Sequence, residues 1–174
     1  MKTFEYSFFS KFIYSYGNIP ITMLLLLYFV LSVQSIPQDN IYIFAAIFHA
    51  FFIFIMNRFY FRRYKYFPNK IQMDEEKLIC SDFIWKNRTV IIPFANISEL
   101  SGGVFDGKIG RPMYIFDKTQ NVKIGFTDKM RNVKDLVTAI LLKIRKDKYE
   151  ELMQNLFAKT EDAKDKRKKR LNKK

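Results

Sequence analysis

The chain has little with which to perform covalent or metal chemistry. Its 174 residues include one cysteine, Cys80, and one histidine, His49. A lone cysteine has no intrachain partner, which excludes a disulfide-stapled secreted domain. One Cys and one His far apart in sequence leave zinc and other transition metals without a ligand set. Nucleophilic catalysis by serine or cysteine needs a base, and no histidine lies outside the apolar segments to provide one. The expectation is a non-enzymatic protein with no cofactor. Charge is also scarce in one place: residues 12–38 contain none. The chain nonetheless carries a net +13, from 30 Lys and Arg against 17 Asp and Glu. Up to Arg58 the balance is only +1, so nearly all of the excess lies beyond it. A uniform soluble globule is excluded.

Residues 19–36 read IPITMLLLLYFVLSVQSI, without a charge. About 20 residues of helix cross a hydrocarbon core of roughly 30 Å, so this run and part of its uncharged flank suffice. Pro20 suits a first helical turn, where its missing N–H costs nothing. A second uncharged run, residues 40–57, reads NIYIFAAIFHAFFIFIMN, with Asn40 as the expected N-cap. The short link between the runs forces an antiparallel helical hairpin. Its turn carries Asp39 and no Lys or Arg, whereas Lys2 and Lys11 precede the first run and Arg58, Arg62, Arg63 and Lys65 follow the second. The positive-inside rule then puts both termini in the cytoplasm. Tyr14, Tyr16, Tyr60, Tyr64 and Tyr66 are expected to form an aromatic belt at that interface. Residues 1–18 are read as an interfacial leader, with Phe4, Phe8 and Phe12 on one stripe of an amphipathic helix; a frayed terminus is the plain alternative. Residues 58–65 are read as a basic juxtamembrane linker.

From residue 66 the pattern changes to short β-branched and aromatic runs bounded by polar turns. Strands are expected at residues 70–73, 77–80, 83–85, 88–94, 113–116 and 122–126. The acidic turn Asp74-Glu75-Glu76 separates the first two, and Lys86-Asn87 makes another turn. After this, Val133, Leu136, Val137, Ile140, Leu141 and Ile144 fall on one helical stripe. Asn132 with Asp135 three residues later makes a weakened capping box. The fold class is α+β: a two-helix transmembrane hairpin, then a small antiparallel sheet or barrel capped by an amphipathic helix, over residues 66–157.

The NKIQMDEEKLIC hairpin, the IIPFANISELSGG segment and the closing amphipathic helix resemble the bacterial PH-like domains that often follow a two-helix membrane hairpin. Ile92-Pro93 and Ile97 match an Ile-Pro pair and a following strand in that family. The resemblance implies seven strands, the seventh expected between Asn96 and Val104, and it implies a fold more than an activity. Phosphoinositide-binding PH domains place Lys and Arg around the first strand hairpin. Here that hairpin carries Asp74, Glu75 and Glu76, which would repel a phosphorylated head group. A protein-interaction surface is the better expectation.

Gly102, Gly107 and Lys108 reproduce the G-x-x-x-x-G-K part of a phosphate-binding loop. Ile109 stands where a Ser or Thr hydroxyl is needed for magnesium, so a strand connection is the expected reading. That loop, with Gly102, Gly103, Phe105, Gly107 and Lys108, is the candidate protein contact. His49 lies near the middle of the second run; with no carboxylate in either run, a neutral imidazole bonded to a neighbouring hydroxyl or carbonyl outweighs a proton relay. Residues 158–174 are read as a disordered basic tail. Arg58, Arg62, Arg63 and Lys65, with Lys166, Arg167, Lys168, Lys169 and Arg170, are the expected contacts to anionic lipid, each worth about 1 kcal/mol near the surface. The expected function is a scaffold or accessory subunit in the membrane, with a membrane-protein partner or a second copy. The alternative is recruitment of RNA, ribosome or acidic partners by the tail, with affinity falling steeply in salt.

Overall fold

The computed structural model describes the backbone of residues 1–85 and 87–171, with side chains described to residue 158. Two compact units emerge: Phe8–Lys65, and Met1–Ser7 together with the chain from Tyr66 onward. The fold mixes helices with antiparallel sheet and has two apolar helices toward its N-terminus.

The elements in chain order are β1 (Lys2–Glu5), α1 (Phe8–Tyr16), α2 (Asn18–Ser35), α3 (Ile41–Tyr66), β2 (Pro68–Met73), β3 (Lys77–Phe83), β4 (Val90–Pro93), β5 (Ile97–Gly102), β6 (Met113–Asp117), β7 (Val122–Phe126), α4 (Val133–Lys143) and α5 (Lys146–Leu171). The strands make a four-stranded sheet, β1-β2-β3-β4, and a three-stranded sheet, β5-β6-β7. Every pairing is antiparallel, and the hydrogen bonding described does not close them into a barrel.

The start of the chain departs from expectation. Residues 2–5 are an edge strand, not part of an interfacial helix: Phe4 pairs with Ile71 and is 3 % exposed. Ile71 pairs with Cys80, and Cys80 with Val90, so one buried row crosses four strands. A period-2 side-chain pattern needs only a few residues to put one large ring into such a row. Beyond β1, the Arg131 N–H donates to the Glu5 carbonyl (2.9 Å) and the Thr127 N–H to the Tyr6 hydroxyl (3.0 Å). Tyr6 is itself buried. The helical unit is therefore inserted between two hydrogen-bonded neighbours of one sheet.

Other boundaries shift as well. The strand expected at residues 83–85 is absent; β3 runs on to Phe83, with Asp82 at φ 59°, and then ends. Lys86, part of the turn expected there, lies outside the described residues. The segment expected to hide a strand does hold β5, after a 3-10 turn at Phe94–Asn96. Leu136, Val137, Ile140 and Ile144 of the helical stripe are buried. Asn132 sits at the N-cap of α4 in the left-handed region (φ 55°) without a side-chain cap bond. For α3, Asp39 rather than Asn40 provides the side-chain cap, accepting from the Ile41 N–H at 2.9 Å. Residues 58–65 continue α3 as helix instead of forming a separate linker. α5 extends through Leu171, across the segment read as a tail, and Lys166, Arg167, Lys168, Lys169 and Arg170 have side chains outside those described.

Candidate functional site

The unit Phe8–Lys65 is apolar outside and polar along its seam. Leu24, Leu27, Phe44, Phe48, Phe51 and Phe54 are all exposed, and no face of α2 or α3 is consistently covered. Two helical stretches, Phe8–Ser35 and Ile41–Tyr66, are long and apolar enough to cross a membrane. Such surface is costly in water and neutral in hydrocarbon. Between the helices, Asn18 Nδ2 donates to Asn57 Oδ1 (3.1 Å), and Asn57 Nδ2 lies within donating distance of Thr22 Oγ1 (3.1 Å) and the Ile53 carbonyl (2.9 Å). The Tyr64 hydroxyl is 2.7 Å from the Ser15 carbonyl and 2.8 Å from Asn18 Oδ1, and Tyr60 donates to the Ile13 carbonyl at 3.3 Å. These bonds satisfy polar groups within the unit and tie α1 to the end of α3. Gly17 lies in this seam, where a Cβ would come 2.5 Å from the Ile13 carbonyl oxygen and 2.7 Å from the Tyr60 hydroxyl.

Those bonds revise the expected aromatic belt. Tyr60 and Tyr64 spend their hydroxyls on α1 rather than on head groups. The basic set also divides. Arg58, Arg62 and Lys65 are exposed, whereas Arg63 is 4 % exposed with its guanidinium 3.8 Å above the Tyr14 ring. Arg63 is thus removed from the expected lipid contacts, because a helix cannot turn four neighbouring side chains to one side. His49 stacks on Tyr28, with ring centroids 5.9 Å apart, and its Nδ1 lies 3.4 Å from Ser32 Oγ. Ser32 directs its own proton to the Tyr28 carbonyl (2.8 Å), so the geometry suits an Nδ1–H imidazole donating to Ser32. The contact to a neighbouring hydroxyl expected from the sequence is present.

In the sheet unit, the glycine-rich loop folds differently from the exposed contact anticipated. Residues Gly103–Asp106 form a 3-10 turn that buries Phe105 to 2 % exposure, edge-on to Phe126 at 6.4 Å. Gly102 permits this with φ 77°, and a Cβ there would come 2.2 Å from the Pro112 carbonyl oxygen. Gly103 is buried too, leaving Gly107 and Lys108 exposed with Val104 and Ile109. The side chain buried by this turn helps line a groove of about 440 Å³ between β5 and α5. Ser98, Glu99, Leu100, Phe105, Lys148 and Leu152 are among its walls. Among the described residues β5 pairs with β6 alone, so its second edge has no strand partner along this groove. No sequence signal marked the groove, because its two walls are some fifty residues apart in the chain.

Two buried polar side chains have structural roles. Asp117 Oδ1 accepts from the Thr119 and Gln120 N–H groups (2.8 and 3.1 Å), shaping the β6–β7 turn. Cys80 is fully buried, and desolvation pushes its thiol up to about 12. A thiol so placed is no nucleophile at neutral pH. Among the described residues, no three His, Cys, Asp or Glu side chains cluster as a metal site. The chain matches no protein-family model, no curated protein and no solved structure.

Proposed function

We propose that this chain is a non-catalytic, membrane-anchored interaction protein. Its apolar hairpin spans the bilayer twice with both ends on the cytoplasmic side, and its sheet unit is a PH-like domain presented there to a protein partner. The carrying observation is the pairing of β1 with β2 across an insertion made of two exposed apolar helices. Strands that are hydrogen-bonded neighbours must lie on one side of a membrane, so the inserted segment crosses it an even number of times. With two crossing helices available, that number is two. The absence of Lys and Arg from the Asp39 turn and their concentration at Arg58, Arg62 and Lys65 support that direction.

Support for the PH-like assignment comes from strand order: four strands, then three, then the amphipathic helix α4. Support for a binding role comes from the groove beside the outward edge of β5. An open strand edge next to a helix offers main-chain hydrogen bonds and side-chain pockets to an extended segment of a partner. The anchoring is tested by cysteine labelling in intact cells, with buried Cys80 as the unreactive background: Gln38→Cys should react with an impermeant reagent from outside, and Ala158→Cys only after permeabilisation. The docking role is tested by mild-detergent purification of the full chain. A stoichiometric membrane partner, lost in a Glu99→Lys/Leu152→Asp variant that still integrates, is expected. Purification as a lipid-bearing homo-oligomer, unchanged by those substitutions, would refute the docking role.

A further inference from the structure

The register of the four-stranded sheet assigns its two ends different chemistry. β1 leaves the sheet at Glu5, opposite Lys70, and β2 enters it at Pro68, opposite Phe83. The points where the chain departs for the apolar helices and returns from them are therefore at one end. The β3–β4 connection, described at residues 84–85 and 87–89, leaves from Phe83 and so lies at that same end. It contains Trp85, 57 % exposed and the only tryptophan in the chain, and Arg88, whose guanidinium lies 4.4 Å above the Phe83 ring. The loop from Thr127 to Asn132 adds to this end through the Tyr6–Met130 bridge and the Arg131–Glu5 bond, bringing exposed Lys129 and Arg131 with Asp128. Asp82 is the other acidic group there, and Glu5 is paired with Lys70 at 3.2 Å. The acidic turn Asp74-Glu75-Glu76 lies at the opposite end, past Met73. A six-residue strand separates the ends by about 20 Å.

We infer that the β3–β4 loop is a second membrane contact, with the Trp85 indole seated among the head groups of an anionic leaflet. This rests on the membrane-anchored reading above. Trp85 is two residues beyond the Pro68–Phe83 pair, within about 7 Å of it along the chain. The end of α3, at Tyr66, is equally close on the β2 side. The part of α3 after Asn57 rises about 13 Å, more than the depth of a head-group zone of roughly 5–8 Å. Tryptophan favours this layer because its ring is apolar and its N–H needs a polar partner. Arg88, Lys129 and Arg131 outnumber Asp82 and Asp128 at this end, Glu5 being paired with Lys70, and the Asp74-Glu75-Glu76 cluster lies at the other.

The sole tryptophan makes the test direct. Wild-type full-length protein is reconstituted into phosphatidylcholine vesicles containing phosphatidylglycerol, with a nitroxide on either the lipid head group or deep in the acyl chain. Expected is a blue-shifted emission that loses about half its intensity to the head-group nitroxide and distinctly less to the deep one. Lys129→Glu/Arg131→Glu should weaken the head-group quenching. Resistance to alkaline carbonate is measured on the same vesicles. Protein that resists extraction but keeps its full emission, still quenched by aqueous acrylamide, overturns the loop contact and leaves the anchored reading intact. Release by carbonate overturns both.

Discussion

Replacing Phe4 by alanine should open the sheet while leaving the apolar helices in place. Phe4 is 3 % exposed and begins the buried row that continues through Ile71, Cys80 and Val90. Truncating a buried phenylalanine costs about 3–5 kcal/mol, from lost transfer energy and from the cavity left behind. β1 is an edge strand, where neighbours relax more readily, so the lower end, about 3 kcal/mol, is expected. Cys80 provides the assay. Burial denies a maleimide both access and thiolate, so labelling of the full chain reports the fraction of molecules in which β3 has opened. A loss of about 3 kcal/mol raises that fraction, and the labelling rate, about 100-fold. Phe9→Ala, at a ring 72 % exposed in α1, should leave the rate unchanged. If the first residues were an interfacial leader, Phe4→Ala would behave as a surface substitution, within about ±0.5 kcal/mol or a factor of two to three in rate. That result would refute the β1 pairing and with it the argument for an even number of crossings.

Asp117→Ala should cost about 1–2 kcal/mol by releasing the Thr119 and Gln120 N–H groups, read as a fall in melting temperature of the detergent-solubilised chain. Asp117→Asn keeps an acceptor for both and should cost less; an equal loss would show that the negative charge, not the turn geometry, matters. Asp74 accepts from the Glu76 and Lys77 N–H groups, which hold its carboxyl below the usual carboxylate range. Its contribution is complete above the unfolded-state value and disappears as pH falls through the lower folded-state value, so Asp74→Asn should flatten the acid limb of a stability–pH profile. His49→Ala should leave membrane integration intact and cost less than about 1 kcal/mol in a steric-trap or denaturant titration, as for other interhelical bonds in membranes. Loss of function without loss of folding in that variant would revive a proton-handling role.

Much of the helical unit was legible because it depends on composition. Charge-free runs of helical length need no partner to be recognised, and the link around Pro37 leaves only a hairpin. The amphipathic stripe of α4 was legible for the same reason: one periodicity, read within a single window. The pairing of β1 was not. Four residues, Lys-Thr-Phe-Glu, carry too short an alternation to distinguish a strand from the i, i+4 stripe that Phe4, Phe8 and Phe12 also make. Its partner lies beyond the entire apolar insertion, and nothing local announces so distant a contact. Phe105 misled for a related reason. Glycines on both sides signalled an exposed loop, yet the φ values they permit at Gly102 and Gly107 tighten a turn that drives the ring inward. The groove beside β5 depends on the same turn and was illegible with it.

The insertion raises a question of entropy that the helical unit itself resolves. Pairing Glu5 with Lys70 closes a loop of about 60 residues, which in a flexible chain costs roughly 3–4 kcal/mol. That is comparable to what burying Phe4 returns, so an unstructured insertion would leave β1 marginal. The insertion is not flexible, however. Arg63 stacks on Tyr14, Tyr60 reaches the Ile13 carbonyl and Tyr64 the Ser15 carbonyl, so the two ends of the inserted segment are already held together by its own bonds. Only the short connections from Ser7 and to Phe67 remain to be ordered when β1 meets β2. Most of the closure cost is met when the hairpin assembles, and the edge strand then gains its buried row at little further expense. The tyrosines at the end of α3, read from sequence as interface ornaments, act physically as the clasp that makes a four-residue strand worth forming.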